Sequence, residues 1–369
     1  MKTRICVLSP GILPWFNLSK NRTGGAEKQV SYMIKSLWKD YEFHVLAYDL
    51  KRDRVKLGPI LFYKIQKYFA KKNFFINYLE SRLVLPFVLF HLIRKCDCDV
   101  IYQRAYHKRY IWIYLWSKIL NKKSIYHISD DSQISVSNIN FSPINFLLNL
   151  VYRQSELIAQ NNYQISEALK INDRVVKVPQ AIKLPIKVDY PLLKKVPYVI
   201  WISNIKRKKG LEILLDIADR MTNISFVMVG GISDERYFSN FSQKISSLKN
   251  VKRYDYVTPS KLEIMIKEAT LLLNTSHYEG FANTFLEAWS NCLPVVSYNI
   301  DPDDLIRKEG IGFVSNNVQE LCNKISLFIT DKELCNKIGN KGREIVEKRY
   351  STKNIAKYYK EFFEKVLVN

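Results

Sequence analysis

Two glutamates, Glu279 and Glu287, stand eight positions apart in the stretch of chain best equipped for chemistry. Between them run Gly280, Phe281, Ala282, Asn283 and Thr284, and just before them come Asn274, Thr275 and Ser276. On one straight helix that spacing would separate the carboxylates by about 12 Å. A glycosidase pair needs roughly 5–9.5 Å. The spacing suits instead two carboxylates that hold different hydroxyl-bearing parts of one ligand. A helix starting between them would offer backbone N–H groups and about half a positive charge to that ligand's phosphates.

The surrounding elements are legible from residue type. Residues 271–273 form a short apolar run, as in a buried parallel strand. Glu279, Gly280 and Phe281 read as a loop in which Gly280 can take positive φ. Asn283 or Thr284 is suited to cap a helix whose Phe285, Leu286 and Trp289 share one face. Pro294 opens the next strand. A second cluster comes earlier, where Asn204, Lys206, Arg207, Lys208, Lys209 and Gly210 lie between a strand over 198–203 and a helix over 212–221. One cation 4 Å from a phosphate charge contributes about 4 kcal/mol at an effective dielectric near 20. Gly24 and Gly25, between the first strand and first helix, would let backbone approach a ligand closely or serve only a tight turn. His127 closes a strand over 123–128. There it either faces a ligand at the strand's carboxyl end or sits hydrogen-bonded in the core.

With these residues in hand, the chain resembles the retaining glycosyltransferases of the GT-B fold, in the family-4-like group. The resemblance rests on the E-x7-E spacing of Glu279 and Glu287, on Asn274 to Ser276, on Asn283 to Trp289, on Asp301 and Asp303, and on Lys209 with Gly210. It implies an α/β chain of two Rossmann-like, doubly wound domains facing across a cleft. It implies transfer of a sugar from a nucleoside diphosphate, UDP or GDP. Glu287 would bind the ribose, Glu279 the donor sugar, and Lys209 with the helix end at Asn283 and Thr284 the diphosphate. Gly25, Arg207, Tyr256, Val257, Gly280, Phe281 and Ala282 would complete the donor site, and His127 would be an active-site histidine. The family commonly has arginine where this chain has Asn204, and Arg207 is the expected substitute. No metal or other cofactor is expected. An ordinary βα unit with two solvated glutamates is the alternative for the motif. A soluble-acceptor glycosyltransferase, a same-fold epimerase or phosphorylase, and a non-catalytic binder are the alternatives for the function.

The 369 residues are enough for two cores, and 47% hydrophobic with 25% charged residues is a globular composition. The expected domains are residues 1–185 and 198–350, joined by a proline-bearing linker over 186–197, with a helix over 351–369 returning to the first domain. The net charge of +22 falls mainly on residues 1–185, which hold 29 Lys and Arg against 13 Asp and Glu. Such a balance favours anionic partners. Aromatic, basic stretches over 63–94 and 111–116 point to core-facing helices, to an anionic membrane surface, or to both. A lipid-linked glycan acceptor in surface-polysaccharide synthesis is the expectation, with no nucleic-acid partner since no such motif occurs. Neither stretch approaches the ~20 apolar residues of a membrane span. Six cysteines without a C-x2-C pair, and no apolar leader in residues 1–20, favour a reduced cytoplasmic protein at the inner face of the membrane. Asp97 and Asp99 precede a strand, the wrong end for a metal site.

Overall fold

The computed structural model describes residues 2–19, 24–66, 83–105, 107–134, 143–185 and 197–368. Residues 67–75, part of the first aromatic stretch, lie outside them, as do residues 186–196 of the expected linker. The chain divides into two units, residues 1–181 with 352–369, and residues 182–351. The boundary precedes the proline-bearing stretch because Ile182 pairs with Ser351 and donates its N–H to Tyr350 O at 2.9 Å.

Helices of eight or more residues are numbered here. The first unit runs β1 (Arg4–Leu8), α1 (Gly25–Leu37), β2 (Glu42–Ala47), β3 (Arg54–Leu57), β4 (Ile60–Lys64), α2 (Leu85–Cys96), β5 (Val100–Arg104), α3 (His107–Ile119), β6 (Lys123–His127), α4 (Pro143–Arg153), β7 (Glu156–Ala159), α5 (Asn162–Leu169) and β8 (Val175–Lys177). The strands form one sheet in the order β3-β4-β2-β1-β5-β6-β7-β8, parallel except for β3 against β4. Both faces are covered, so the central strands are largely buried and mainly apolar, with Gln103, Arg104 and His127 as buried polar residues at the carboxyl ends of β5 and β6. Val30, Met33, Ile34 and Leu37 of α1 pack on one face beside Ile355, Tyr359, Phe362 and Phe363 of the C-terminal helix, Thr352–Val368. Leu89 and Ile93 of α2, Tyr110 and Ile113 of α3 and Leu148 of α4 cover the other.

Strands β3 and β4 were not legible in the sequence. β3 is an edge strand, largely exposed and carrying Arg54 and Lys56, so it shows no apolar alternation. Its turn into β4 uses Gly58 at φ +59°. Asp97 and Asp99 are structural: Asp99 accepts the Arg4 backbone N–H at 2.8 Å, and Asp97 pairs with Arg4 and Lys122. All six cysteines are free thiols.

The second unit runs β9 (Tyr198–Ile202), α6 (Leu211–Arg220), β10 (Ser225–Val229), β11 (Val251–Tyr254), α7 (Pro259–Glu268), β12 (Leu271–Asn274), α8 (Asn283–Ser290), β13 (Val295–Tyr298), β14 (Gly312–Ser315), α9 (Val318–Thr330) and α10 (Lys332–Arg349). Its sheet is parallel throughout, in the order β11-β10-β9-β12-β13-β14. The order reverses between β9 and β12. Open α/β sheets bind ligands outside the carboxyl ends of the strands at such a reversal. Helix α8 starts beyond β12 and is fixed by Trp289, whose Nε1–H donates to Ile311 O at 2.9 Å. Helix α10 meets it closely through Gly342, where a Cβ would lie 2.7 Å from Trp289 Cδ1.

Candidate active site

Two loops bring the predicted residues together at the β9/β12 reversal. The loop after β9 makes a short turn over Arg207–Lys209 and ends at Gly210, with φ +62°. The loop after β12 carries Thr275, Ser276, His277 and Glu279. Lys209 Nζ pairs directly with a carboxylate oxygen of Glu279, and both side chains are about six-sevenths buried, at 15% and 14% exposure. Ser276 Oγ donates to the same carboxylate at 3.0 Å. A largely buried ion pair gains from low dielectric only when its other lone pairs are also satisfied, and Ser276 does part of that.

The two loops are tied by backbone as well. Thr275 Oγ1–H donates to Lys209 O at 2.8 Å while accepting from Trp201 Nε1–H at 2.9 Å. The His277 N–H donates to Lys208 O at 2.9 Å. His277 Nε2 lies 2.8 Å from Glu212 on α6, and Tyr237 O–H donates to that glutamate's other oxygen. Burial pushes the Glu212 carboxyl upward, but the hydrogen bonds from Tyr237 and His277 outweigh it and hold the group below its ordinary value. These contacts fix Lys209 on both sides. Thr275, His277, Trp201, Glu212 and Tyr237 are positioning residues that the sequence reading did not assign. The Asn274–Thr275–Ser276 run was a signal for the loop, but Trp201, Glu212 and Tyr237 come from other elements.

Gly210 has the left-handed backbone, and Gly280 does not. Among the described residues the glycines with positive φ are Gly58, Gly210, Gly230 and Gly310. A Cβ at Gly210 would overlap the Thr275 carbonyl, so glycine is what lets the two loops touch. Asn283 and Thr284 are not caps. The N-cap is Ala282, which has no side-chain acceptor, and Asn283 and Thr284 occupy the first turn. They share the open face of α8 with Glu287, while Phe285, Leu286, Ala288 and Trp289 are buried. Phe281 and Ala282 are buried too, so only their backbone can meet a ligand. Asn204 and Arg207 are exposed beside the loop. Tyr256 is exposed and Val257 buried just after β11. Asp301 caps the following short helix, accepting from Ile306 N–H at 2.7 Å and Arg307 N–H at 3.2 Å.

In the first unit Gly25 begins α1 behind Gly24 at the N-cap. His127 ends β6, but its ring is fully buried. Its Nδ1 lies 2.7 Å from the Tyr102 hydroxyl and 3.4 Å from that of Tyr359. Burial first, and then the charge of Arg104, hold it well below the ordinary histidine range. Of the two readings of His127, the open ring is corrected to the buried, hydrogen-bonded one, neutral and with Nε2 unengaged. Among the described residues no group of three or more His, Cys, Asp or Glu is arranged to hold a metal ion.

Two doubly wound parallel-sheet units, one with a lysine–glutamate site at its strand reversal, define the architecture as GT-B. Residues 185–345 match the family described as Glycosyl transferases group 1. Among curated relatives, the poly(ribitol-phosphate) alpha-N-acetylglucosaminyltransferase of Staphylococcus aureus is 25% identical over 171 residues, 44% of this chain and 34% of its own length. The alpha-galactosylglucosyldiacylglycerol synthase of Streptococcus pneumoniae is 21% identical over 51% of each chain. The solved structure of Anabaena HepE in complex with UDP-glucose has TM-score 0.75 at 18% identity, covering 98% of this chain and 99% of that one. The first curated relatives are matched over about a third of their own length.

Proposed function

We propose that the protein is a retaining glycosyltransferase that moves a sugar from a nucleoside diphosphate to a lipid-linked glycan acceptor. The observation that carries this is the Lys209–Glu279 pair, built into the β9/β12 reversal beside the open face of α8 that bears Glu287. An entering donor would divide the pair. Lys209 and the start of α8 would take the diphosphate, Glu279 the sugar hydroxyls and Glu287 the ribose. Charge grows on the diphosphate as the glycosidic bond breaks, so stabilisation aimed there does most for the rate. Glu279 is engaged by a cation and a hydroxyl, which suits a carboxylate that binds and orients more than one that attacks carbon. Retention through a front-face step, with the leaving diphosphate assisting removal of the acceptor proton, fits that role. No metal is invoked, because Lys209 and the helix start supply the positive charge.

The donor is tested by melting the protein with UDP, GDP, ADP and their sugar conjugates, with and without EDTA. Uridine comes first because the Anabaena neighbour is described with UDP-glucose. A ligand at 100 times its Kd should stabilise by about 2.7 kcal/mol. One nucleotide should do so, and EDTA should not change it. No shift with any of them would overturn the reading.

Acceptor delivery at an anionic membrane surface is supported by the outer side of α2, α3 and α4. These adjacent helices contain no Asp or Glu, and carry Arg94, Lys95, Lys108, Arg109, Lys118 and Arg153. Phe87, Ile119 and Phe146 are exposed there at 68%, 58% and 62%. Trp116, within the aromatic stretch 111–116, is instead buried and donates to Pro86 O at 3.0 Å. Cations beside exposed apolar side chains match an anionic interface. No described helix is long and apolar enough to cross a membrane. The protein should sediment with phosphatidylglycerol vesicles and not with phosphatidylcholine vesicles. Phe87→Ser with Phe146→Ser should weaken that binding about tenfold or more, at roughly 1.5–3 kcal/mol per phenylalanine fully inserted. Equal sedimentation of the variant and the parent chain would remove this surface from the account.

A further inference from the structure

The first unit buries an arginine that has no counter-charge. Arg104 is the last residue of β5 and is 4% exposed. One nitrogen, Nη2, donates to Gln180 Oε1 at 3.1 Å, and Gln180 in turn donates to Gln160, which donates to Ile128 O. Its Nε and Nη1 have no hydrogen-bond partner, and neither does Nε2 of His127. Arg104 and His127 are direct register partners on β5 and β6, so the three unengaged nitrogens belong to side chains on the same face at the carboxyl edge of the sheet. Among the described residues no carboxylate pairs with Arg104. The hydroxyls of Tyr102 and Tyr359 act on the guanidinium by charge and by weak hydrogen bonding outside good geometry, but burial keeps both neutral, so neither supplies a counter-charge.

A guanidinium almost never stays buried without an anion, since desolvating a charge is expensive unless it is paired. The position is not random either. β5 adjoins β1, where the order of this sheet reverses, and ligands enter at the carboxyl ends beside such a reversal. We propose that Arg104, with Nε2 of His127 beside it, is the anchor of an oxyanion site in the first unit, taking a singly charged phosphodiester or carboxylate of the acceptor. Single charge follows from the lining: one permanent cation, a neutral imidazole and neutral amides balance one negative charge and not two. Gln180 and Gln160 are positioning residues that hold the guanidinium in place. That the anion belongs to an acceptor rests on the glycosyl-transfer reading. That the site binds an oxyanion does not.

The test uses the full chain and Arg104→Met, melted in dimethyl phosphate, in glucuronate and in chloride at equal ionic strength, with UDP as a separate arm. One of the two oxyanions should raise the melting temperature of the parent chain above the chloride control. Arg104→Met should lose that response, with affinity down at least tenfold. Without ligand, the variant should melt at the same temperature as the parent or higher, because a buried unpaired charge has been replaced by an apolar chain of similar length. A response to dimethyl phosphate assigns the site to a phosphodiester, and a response to glucuronate to an acidic sugar. Arginine as a purely structural residue predicts the reverse: a variant that melts several degrees lower or does not fold. That result, a parent chain indifferent to both oxyanions, or a variant that still responds, would overturn the proposal. An Arg104-dependent response without any UDP shift would leave this site standing and remove the glycosyl-transfer reading. A UDP shift without the response would do the opposite.

Discussion

Lys209→Ala and Glu287→Ala should each weaken binding of the preferred nucleoside diphosphate, whereas Glu279→Ala should leave it within a few-fold and lower turnover. The magnitudes follow from what each side chain would hold. A charge-assisted hydrogen bond contributes about 1.5–3 kcal/mol, so losing Lys209 should cost about ten- to a hundredfold in Kd. The loss is compounded locally, because Glu279 would keep only Ser276 as a partner in a largely buried position. Glu287 lies on the open face of α8 and would offer its two oxygens to vicinal hydroxyls, so its removal should cost tenfold or more. Glu279 orients the reacting sugar, and misplacing a reacting centre costs about 10²-fold in rate. Titration calorimetry with the nucleotide and single-turnover rates on the three variants separate these effects. Parent-like nucleotide affinity in Lys209→Ala and Glu287→Ala would count heavily against the donor site assigned here.

Gly210→Ala should be strongly destabilising and should disturb the site directly. Two costs combine. The backbone at φ +62° disfavours any L side chain by about 1–2 kcal/mol. The new Cβ would also overlap the Thr275 carbonyl, forcing apart the loops that carry Lys209 and Glu279. Together these should cost about 3 kcal/mol, or about 6–12 °C in melting temperature for a unit of this size. Gly310 supplies the control. It has the same backbone, at φ +58°, but a Cβ there would meet nothing closer than Lys341 Nζ at 3.8 Å. Gly310→Ala should therefore show the backbone cost alone and keep nucleotide affinity. If Gly210→Ala binds nucleotide as well as Gly310→Ala does, the tight apposition of the two loops is not what positions Lys209.

What the sequence determined by itself was local. Apolar runs with sharp polar ends located β1, β9, β12 and β13, and the order of strand, basic loop and helix put Lys209 in a loop at a strand's carboxyl end. The paired glutamates and the residues between them pointed to a donor site. These are patterns of short range, and a parallel strand or a helix start is written in the few residues that form it. The edge strands β3 and β14 escaped, because each buries too little on either face to leave a pattern.

What only the tertiary structure decided depends on which chain segments become neighbours. That Glu279 pairs with Lys209, seventy positions away, follows from β12 lying beside β9 in the sheet. That Gly210 and not Gly280 is the left-handed glycine, with no room for a Cβ beside the Thr275 carbonyl, depends on how the two loops meet. Helix α8 begins at Asn283 with Ala282 as its cap, although Asn283 is the better capping residue by type, because the buried side chains of Phe285, Leu286 and Trp289 set where the helix sits. His127 was placed at the right end of its strand by sequence, yet its burial and neutrality come from Tyr102, Tyr359 and Arg104 on other elements. Residue type and spacing set which groups could do chemistry; the strand order set which of them meet, how deeply they are buried, and which are left without a partner.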